Sequence, residues 1–163
     1  MVEKDTLAGL ELFEGLSGPA LGAIAAISVE LTYAPGAVIF SPELASNLVY
    51  LLLEGSVRLT VFSSPLPERV TMVVLETPGQ AFGFSAVVGE GHHNTSAEAV
   101  TKVKVVAIDG RLFLDYLERD PETGFKVMRR VARVISRRLA AVRRLLLQTI
   151  IDYERQAGTT PEN

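Results

Sequence analysis

Two adjacent histidines, His92 and His93, lie inside AFGFSAVVGEGHHNTSAEA, a segment of residues 81–99 that also carries Ser85, Asn94, Thr95 and Ser96. Three chemistries suit these residue types: metal or haem ligation by imidazole, nucleophilic catalysis by serine with histidine, and anion binding by hydroxyls and backbone N–H groups at a glycine-rich turn. Ligation is poorly served. Neighbouring side chains of an extended segment point to opposite sides, and the sequence offers no third histidine and no cysteine. The pair therefore reads as a solvent-exposed loop pair, and no metal site is assigned. The cysteine count also excludes disulfides and iron–sulfur clusters. A serine hydrolase lacks its G-x-S-x-G elbow. A metal-bearing jelly-roll enzyme would need several His/Glu ligands on adjacent strands, usually with an H-x-H pair. The chain reads as non-catalytic. Anion binding remains, with one gap: no Lys or Arg stands between Ala81 and Ala99.

The elements around this segment must position it. A length of 163 residues suits one domain with a real core. A hydrophobic content of 48% with 21% charged residues is that of a folded domain, not a disordered chain. No apolar run reaches the roughly 18–20 residues that span a bilayer, and MVEKDTLAGLELFEGL lacks a signal-peptide layout. The expectation is a soluble cytoplasmic protein without membrane contact. The net charge of −3 hides an asymmetry: residues 126–163 hold nine Lys/Arg against three Asp/Glu, and the rest of the chain is strongly acidic.

LAGLELFEGLSGPALGAIAAIS reads as helix, break and second short helix, with Pro19 well placed in a first turn. VELTYAPGAVIF predicts a hairpin about Pro35-Gly36, and NLVYLLLEGSVRLTVF a second about Glu54-Gly55. SSPLPER is a loop, because its two prolines cannot sit in a central strand. VTMVVLE, TSAEAV and KVKVVAID are further strands. The count of about eight short strands suggests a β-roll or jelly roll. After Asp109 the texture turns helical: GRLFLDYLERD stops before Pro121, and about 35 residues then run without another proline. The fold class is α+β: an eight-stranded β-roll with short N-terminal helices and a long C-terminal helix. Its boundaries fall at 1–125 for the roll, 126–156 for the helix and 157–163 for a disordered polar tail.

The long helix has a seam. Met128, Val131, Ile135, Leu139, Val142, Leu146, Ile150 and Tyr153 advance twenty-five residues in seven steps, near the coiled-coil period. Such a helix is roughly 50 Å long, more than a domain of this size can cover. A parallel homodimer through Met128–Ile150 is expected. Arg129, Arg130, Arg133, Arg137, Arg138, Arg143 and Arg144 flank the seam on several faces instead of forming one stripe. They read as a solvated face that pairs with the acidic body. Direct DNA binding is not expected, because no helix-turn-helix follows.

The order of elements resembles the cyclic-nucleotide-binding domain of the catabolite-activator and protein-kinase-regulatory type, over about Leu10 to Gln156. The motifs that carry the resemblance are LFEGLS, YAPGAVIF, NLVYLLLEGSVRL and LETPGQAFG, in the family's order and spacing. It implies that residues 81–99 are the phosphate-binding cassette, with Phe82, Gly83, Phe84, Ser85, Ala86, Asn94, Thr95, Ser96 and Ala97 about the ligand. It also implies cyclic AMP or cyclic GMP as ligand. Two side chains depart from the family pattern. Phe84 stands where a glutamate would meet the ribose, and Thr95, preceded by Asn94, where an arginine would meet the phosphate. A charge-assisted arginine–phosphate pair contributes about 1.5–3 kcal/mol. Its loss, with the ribose bond, predicts affinity weakened by roughly 10²–10³-fold. The resulting expectation is a regulatory sensor module with weak or altered ligand preference, signalling through its C-terminal helix to an unidentified protein partner. The alternative is a module that binds no nucleotide and acts as a dimerisation scaffold.

Overall fold

In the computed structural model, which describes residues 2–44, 46–62, 69–88, 93 and 95–157, the apolar runs become eight strands in two four-stranded sheets. Two short helices, α1 (Lys4–Ala8) and α2 (Gly18–Ala26), flank a 3₁₀ turn at Glu11–Phe13. The strands are β1 (Ser28–Tyr33), β2 (Val38–Phe40), β3 (Leu48–Glu54), β4 (Val57–Phe62), β5 (Arg69–Leu75), β6 (Ala81–Phe82), β7 (Ser96–Ala99) and β8 (Val103–Asp109). A single helical turn, α3 (Ser85–Val88), follows β6. Helices α4 (Gly110–Arg119) and α5 (Pro121–Ala157) close the chain. The orders are β1-β8-β3-β6 and β2-β7-β4-β5, with antiparallel pairing throughout. The expected β-roll with its N-terminal helices and long C-terminal helix is what forms.

Both predicted hairpins are corrected. Ala34–Ala37 does make a tight turn, with the Ala37 N–H donating to the Ala34 carbonyl at 3.1 Å. Its flanking strands, however, part into different sheets, β1 beside β8 and β2 beside β7. Likewise β3 and β4 do not pair across Gly55. A Cβ on that glycine would lie 2.2 Å from the Lys102 carbonyl oxygen, at a φ of +92°. Close backbone approach where the chain changes sheets therefore explains Gly55; a two-residue hairpin does not.

Alternation along the central strands explains two cores. Val49 and Leu51 of β3, with Val106 and Ile108 of β8, face the helices. Tyr50 and Leu52, with Val103, Val105 and Ala107, face the inside of the roll. These strands are buried on both sides, so they read as continuous apolar runs. α4 is capped by Asp109, whose carboxylate accepts from the Leu112 N–H at 2.9 Å. α5 is capped by Asp120, which accepts from the Thr123 N–H and hydroxyl at 3.1 and 2.7 Å.

α5 runs 37 residues from Pro121, ahead of the boundary drawn at 126. Residues 158–163, and with them most of the expected tail, lie outside the described residues. The N-terminal half of α5 meets its own domain: Val127 and Val131 are buried, Met128 and Val134 pack against the same core, and contacts continue to Arg137 and Arg138. Val131, placed on the dimer seam by its spacing, is instead 2% exposed inside its own domain. Met128 joins it there. Farther along, Ile135, Leu139, Leu146 and Ile150 are exposed, and Val142 is half-buried.

Candidate functional site

The cassette begins where β6 ends. Gly83 holds a φ of +77°, and a Cβ there would lie 2.8 Å from the Leu48 carbonyl oxygen, 3.1 Å from the Tyr50 ring and 3.3 Å from His93. Only glycine fits, and the turn it makes points Phe82 and Phe84 into different cores. Phe82 is fully buried inside the roll, 5.2 Å from the Tyr50 ring and 6.1 Å from Phe40 between centroids. Phe84 joins the helix-side core.

His93 overturns the expectation of an exposed histidine loop. It is 1% exposed, its ring stacked on Phe40 at 3.8 Å, with Nδ1 2.8 Å from the Ser85 hydroxyl. The imidazole fills the roll beside the aromatic cluster and fastens the far limb of the cassette to α3. His92 and Asn94 lie outside the described residues. Among the described residues no three His, Cys, Asp or Glu side chains gather as a metal site would require.

Four of the expected residues, Gly83, Phe84, Ser85 and Thr95, meet around one cavity of about 190 Å³. Leu59 of β4 with Met72 and Val73 of β5 form one wall, Gly83, Phe84, Ser85 and Thr95 of the cassette another, and Arg138, Ala141 and Val142 of α5 the third. Ala86 and Ala97 are not in its lining: Ala86 packs against the helices, and Ala97 is buried inside the roll. Ser96 is turned to β5, accepting from the Arg69 guanidinium at 2.6 Å.

Two cations thus reach a cassette that contains none. Arg69 arrives from β5. Arg138 arrives from α5, donating to the Ala81 carbonyl and lying 5.7 Å over the Phe84 ring. Burial pushes its pKa down to about 10. The reading of all seven helix arginines as a solvated face is corrected for Arg138. Charge pairing with the acidic body does occur at Arg137, 2.8 Å from Glu11. Arg130 instead holds the Leu12 and Glu14 carbonyls. A signal for Arg138 existed in the sequence. Val127, Val131, Val134 and Arg138 advance by four, three and four residues, so the arginine continues the face that packs on the domain.

A β-roll whose cassette faces the C-terminal helix is the architecture of a class of regulatory domain. Residues 30–120 match the family described as the cyclic nucleotide-binding domain, and the chain belongs to that family. A putative cyclic nucleotide-binding protein of Geobacter metallireducens is similar, with a TM-score of 0.74 and 32% identity, over 85% of this chain and 99% of that one. The catabolite activator protein of Thermus thermophilus aligns with a TM-score of 0.65 and 27% identity, over 84% of this chain and 62% of that one. Glutaminase 1 of Bradyrhizobium diazoefficiens is 30% identical over 139 residues, 84% of this chain and 21% of that protein. The chain spans about a fifth of that glutaminase and, at 58%, a little over half of the CRP-like cAMP-activated regulator of Mycobacterium tuberculosis that it also matches. Among the described residues no helix is long and apolar enough to cross a membrane.

Proposed function

We propose that this chain is a non-catalytic sensor module that binds a cyclic nucleotide, or a related small anionic ligand, weakly in the cavity between β4–β5, the cassette and α5. The observation that carries the reading is the composition of that cavity: its walls combine cassette residues Gly83, Phe84, Ser85 and Thr95 with Arg138, Ala141 and Val142 of the helix. A ligand there touches the roll and the helix together, so its binding free energy biases the position of α5. The family membership and the names of the Geobacter and Thermus relatives support the ligand class. The match within a glutaminase is consistent with a regulatory module appended to a larger enzyme, and no catalytic role follows for this segment.

Signalling passes through a homodimer. Leu139 at 68% exposure and Leu146 at 59% are left uncovered by their own domain. A second copy of the same helix matches the seam spacing and offers apolar cover. Calorimetric titration with cyclic AMP and cyclic GMP tests the ligand. Dissociation constants in the high-micromolar range or weaker are expected, and no binding at millimolar nucleotide would reject this reading.

A second reading has its own observation. Phe40, Tyr50, Phe82 and His93 stack through the inside of the roll, with neighbouring centroids 3.8–6.1 Å apart. A roll filled in this way suits a scaffold that needs no ligand for its order. Failure of the titration would favour it.

A further inference from the structure

Arg138 carries a charge into a half-buried setting without the partner such a charge usually has. Among the described residues the salt bridges are Lys104–Glu30, Lys126–Glu122 and Arg137–Glu11, and none includes Arg138. Its contacts are a carbonyl oxygen and the face of an aromatic ring. Both are favourable, but neither supplies a negative charge. Withdrawing a cation from water without a counter-ion is costly, and a guanidinium has five N–H donors. The same guanidinium lines the cassette cavity, where it is the only cation among the lining residues.

We infer that Arg138 is the anion-binding residue of the cavity: the helix, in place of the cassette, supplies the guanidinium that pairs with a singly charged phosphodiester or comparable small anion. This rests on the reading of the cavity as the ligand site and adds the residue that reads the charge. It also gives the coupling a physical carrier. An anion that draws Arg138 from the Ala81 carbonyl moves a residue of α5, whereas a cassette arginine would leave the helix untouched. Arg69 is the rival. It is exposed, bonded to Ser96, and one of the groups that lower the Glu43 pKa, with hydrogen bonds from Ser41 and the backbone as the larger causes. It does not line the cavity.

The test compares the unmodified chain with Arg138→Gln, Arg138→Lys and Arg69→Gln, titrated with cyclic AMP and with uncharged adenosine. Arg138→Gln is expected to lose about 10–100-fold in affinity for cyclic AMP with adenosine binding unchanged. Arg138→Lys should fall between, because it keeps the charge but not the forked geometry. Equal cyclic AMP affinity in the unmodified chain and Arg138→Gln would overturn the inference while leaving the ligand site in place. So would a larger loss in Arg69→Gln. If the unmodified chain binds no cyclic nucleotide, the functional reading falls by itself. Inorganic phosphate then decides the inference: a melting-temperature rise that Arg138→Gln abolishes supports it, and no rise, or an equal rise in both, overturns it. Should Arg138→Gln fail to fold, Arg138→Lys carries the comparison. An affinity unchanged in that variant counts against the inference.

Discussion

The guanidinium carbon of Arg138 lies 5.7 Å from the centroid of the Phe84 ring. A residue of the long helix and a residue of the cassette thereby line one cavity together. The motif resemblance implies a ribose-binding glutamate at the position of Phe84; in the fold its ring lies against a cation.

That pairing changes what repair of the cassette should do. Thr95→Arg alone is expected to raise cyclic AMP affinity by about tenfold, the effect of one charge-assisted pair. Phe84→Glu should lower it, because the new carboxylate pairs with Arg138 and competes with the ligand anion. It should also cost on the order of 3 kcal/mol of stability for the buried ring. Calorimetric titration of the two single variants checks this. A gain in affinity from Phe84→Glu would count against the role given to Arg138.

Gly83→Ala should be poorly tolerated. The substitution places a Cβ 2.8 Å from the Leu48 carbonyl oxygen at a φ of +77°, a strain of about 2–3 kcal/mol at a conformation that side chains rarely adopt. A shift of the urea midpoint to lower concentration, at unchanged slope, is the expected result.

His93→Ala should behave as a core truncation. It removes the Phe40 stack and the partner of the Ser85 hydroxyl, a loss on the order of 3 kcal/mol. An exposed loop histidine would change stability by no more than about 0.5 kcal/mol. Denaturant unfolding distinguishes the two.

α5 should respond in two ways along its length. Val131→Ala is expected to cost about 2 kcal/mol of domain stability without altering the oligomeric state. Leu146→Glu should leave the fold intact and shift a dimer to monomer in sedimentation velocity, since it buries charge in the seam. A monomeric unmodified chain at tens of micromolar would remove the seam.

The tie between Glu11 and Arg137 gives a pH dependence. The hydrogen bond from Arg137 is the largest cause that lowers the Glu11 pKa from its ordinary 4.5. A carboxyl with a depressed folded-state pKa stabilises above its unfolded value and loses that contribution as pH falls through the folded one. Both side chains are more than half exposed, so the effect is small and screened by salt. Glu11→Gln should be slightly less stable than the unmodified chain at pH 7, and the difference should shrink as pH falls from the ordinary 4.5 through the lowered folded-state value, and in high salt.

The sequence by itself determined most of the elements and the class of fold. Those properties are local: alternation, turn glycines such as Gly36 and Gly83, and a long run of helix formers act over a few residues. It also showed that residues 81–99 hold no Lys or Arg, because a residue type is visible without a structure. Strand partners were not legible at Gly55, since a glycine permits a tight turn and a change of sheet alike, and only the approach of Lys102 from the turn between β7 and β8 separates them. Nor was the burial of His93, which depends on Phe40 more than fifty residues earlier. The seam of α5 fared in both ways. Its period showed in the spacing, but how far the domain reaches along it did not, so Val131 was assigned outward and folds inward. For Arg138 the spacing showed the inward face, but only the tertiary structure made this one of the eight arginines of α5 the cation of the cavity, by setting it against β4–β5 and the cassette. Charge is a property of a residue, whereas the absence of a counter-charge is a property of everything packed around it.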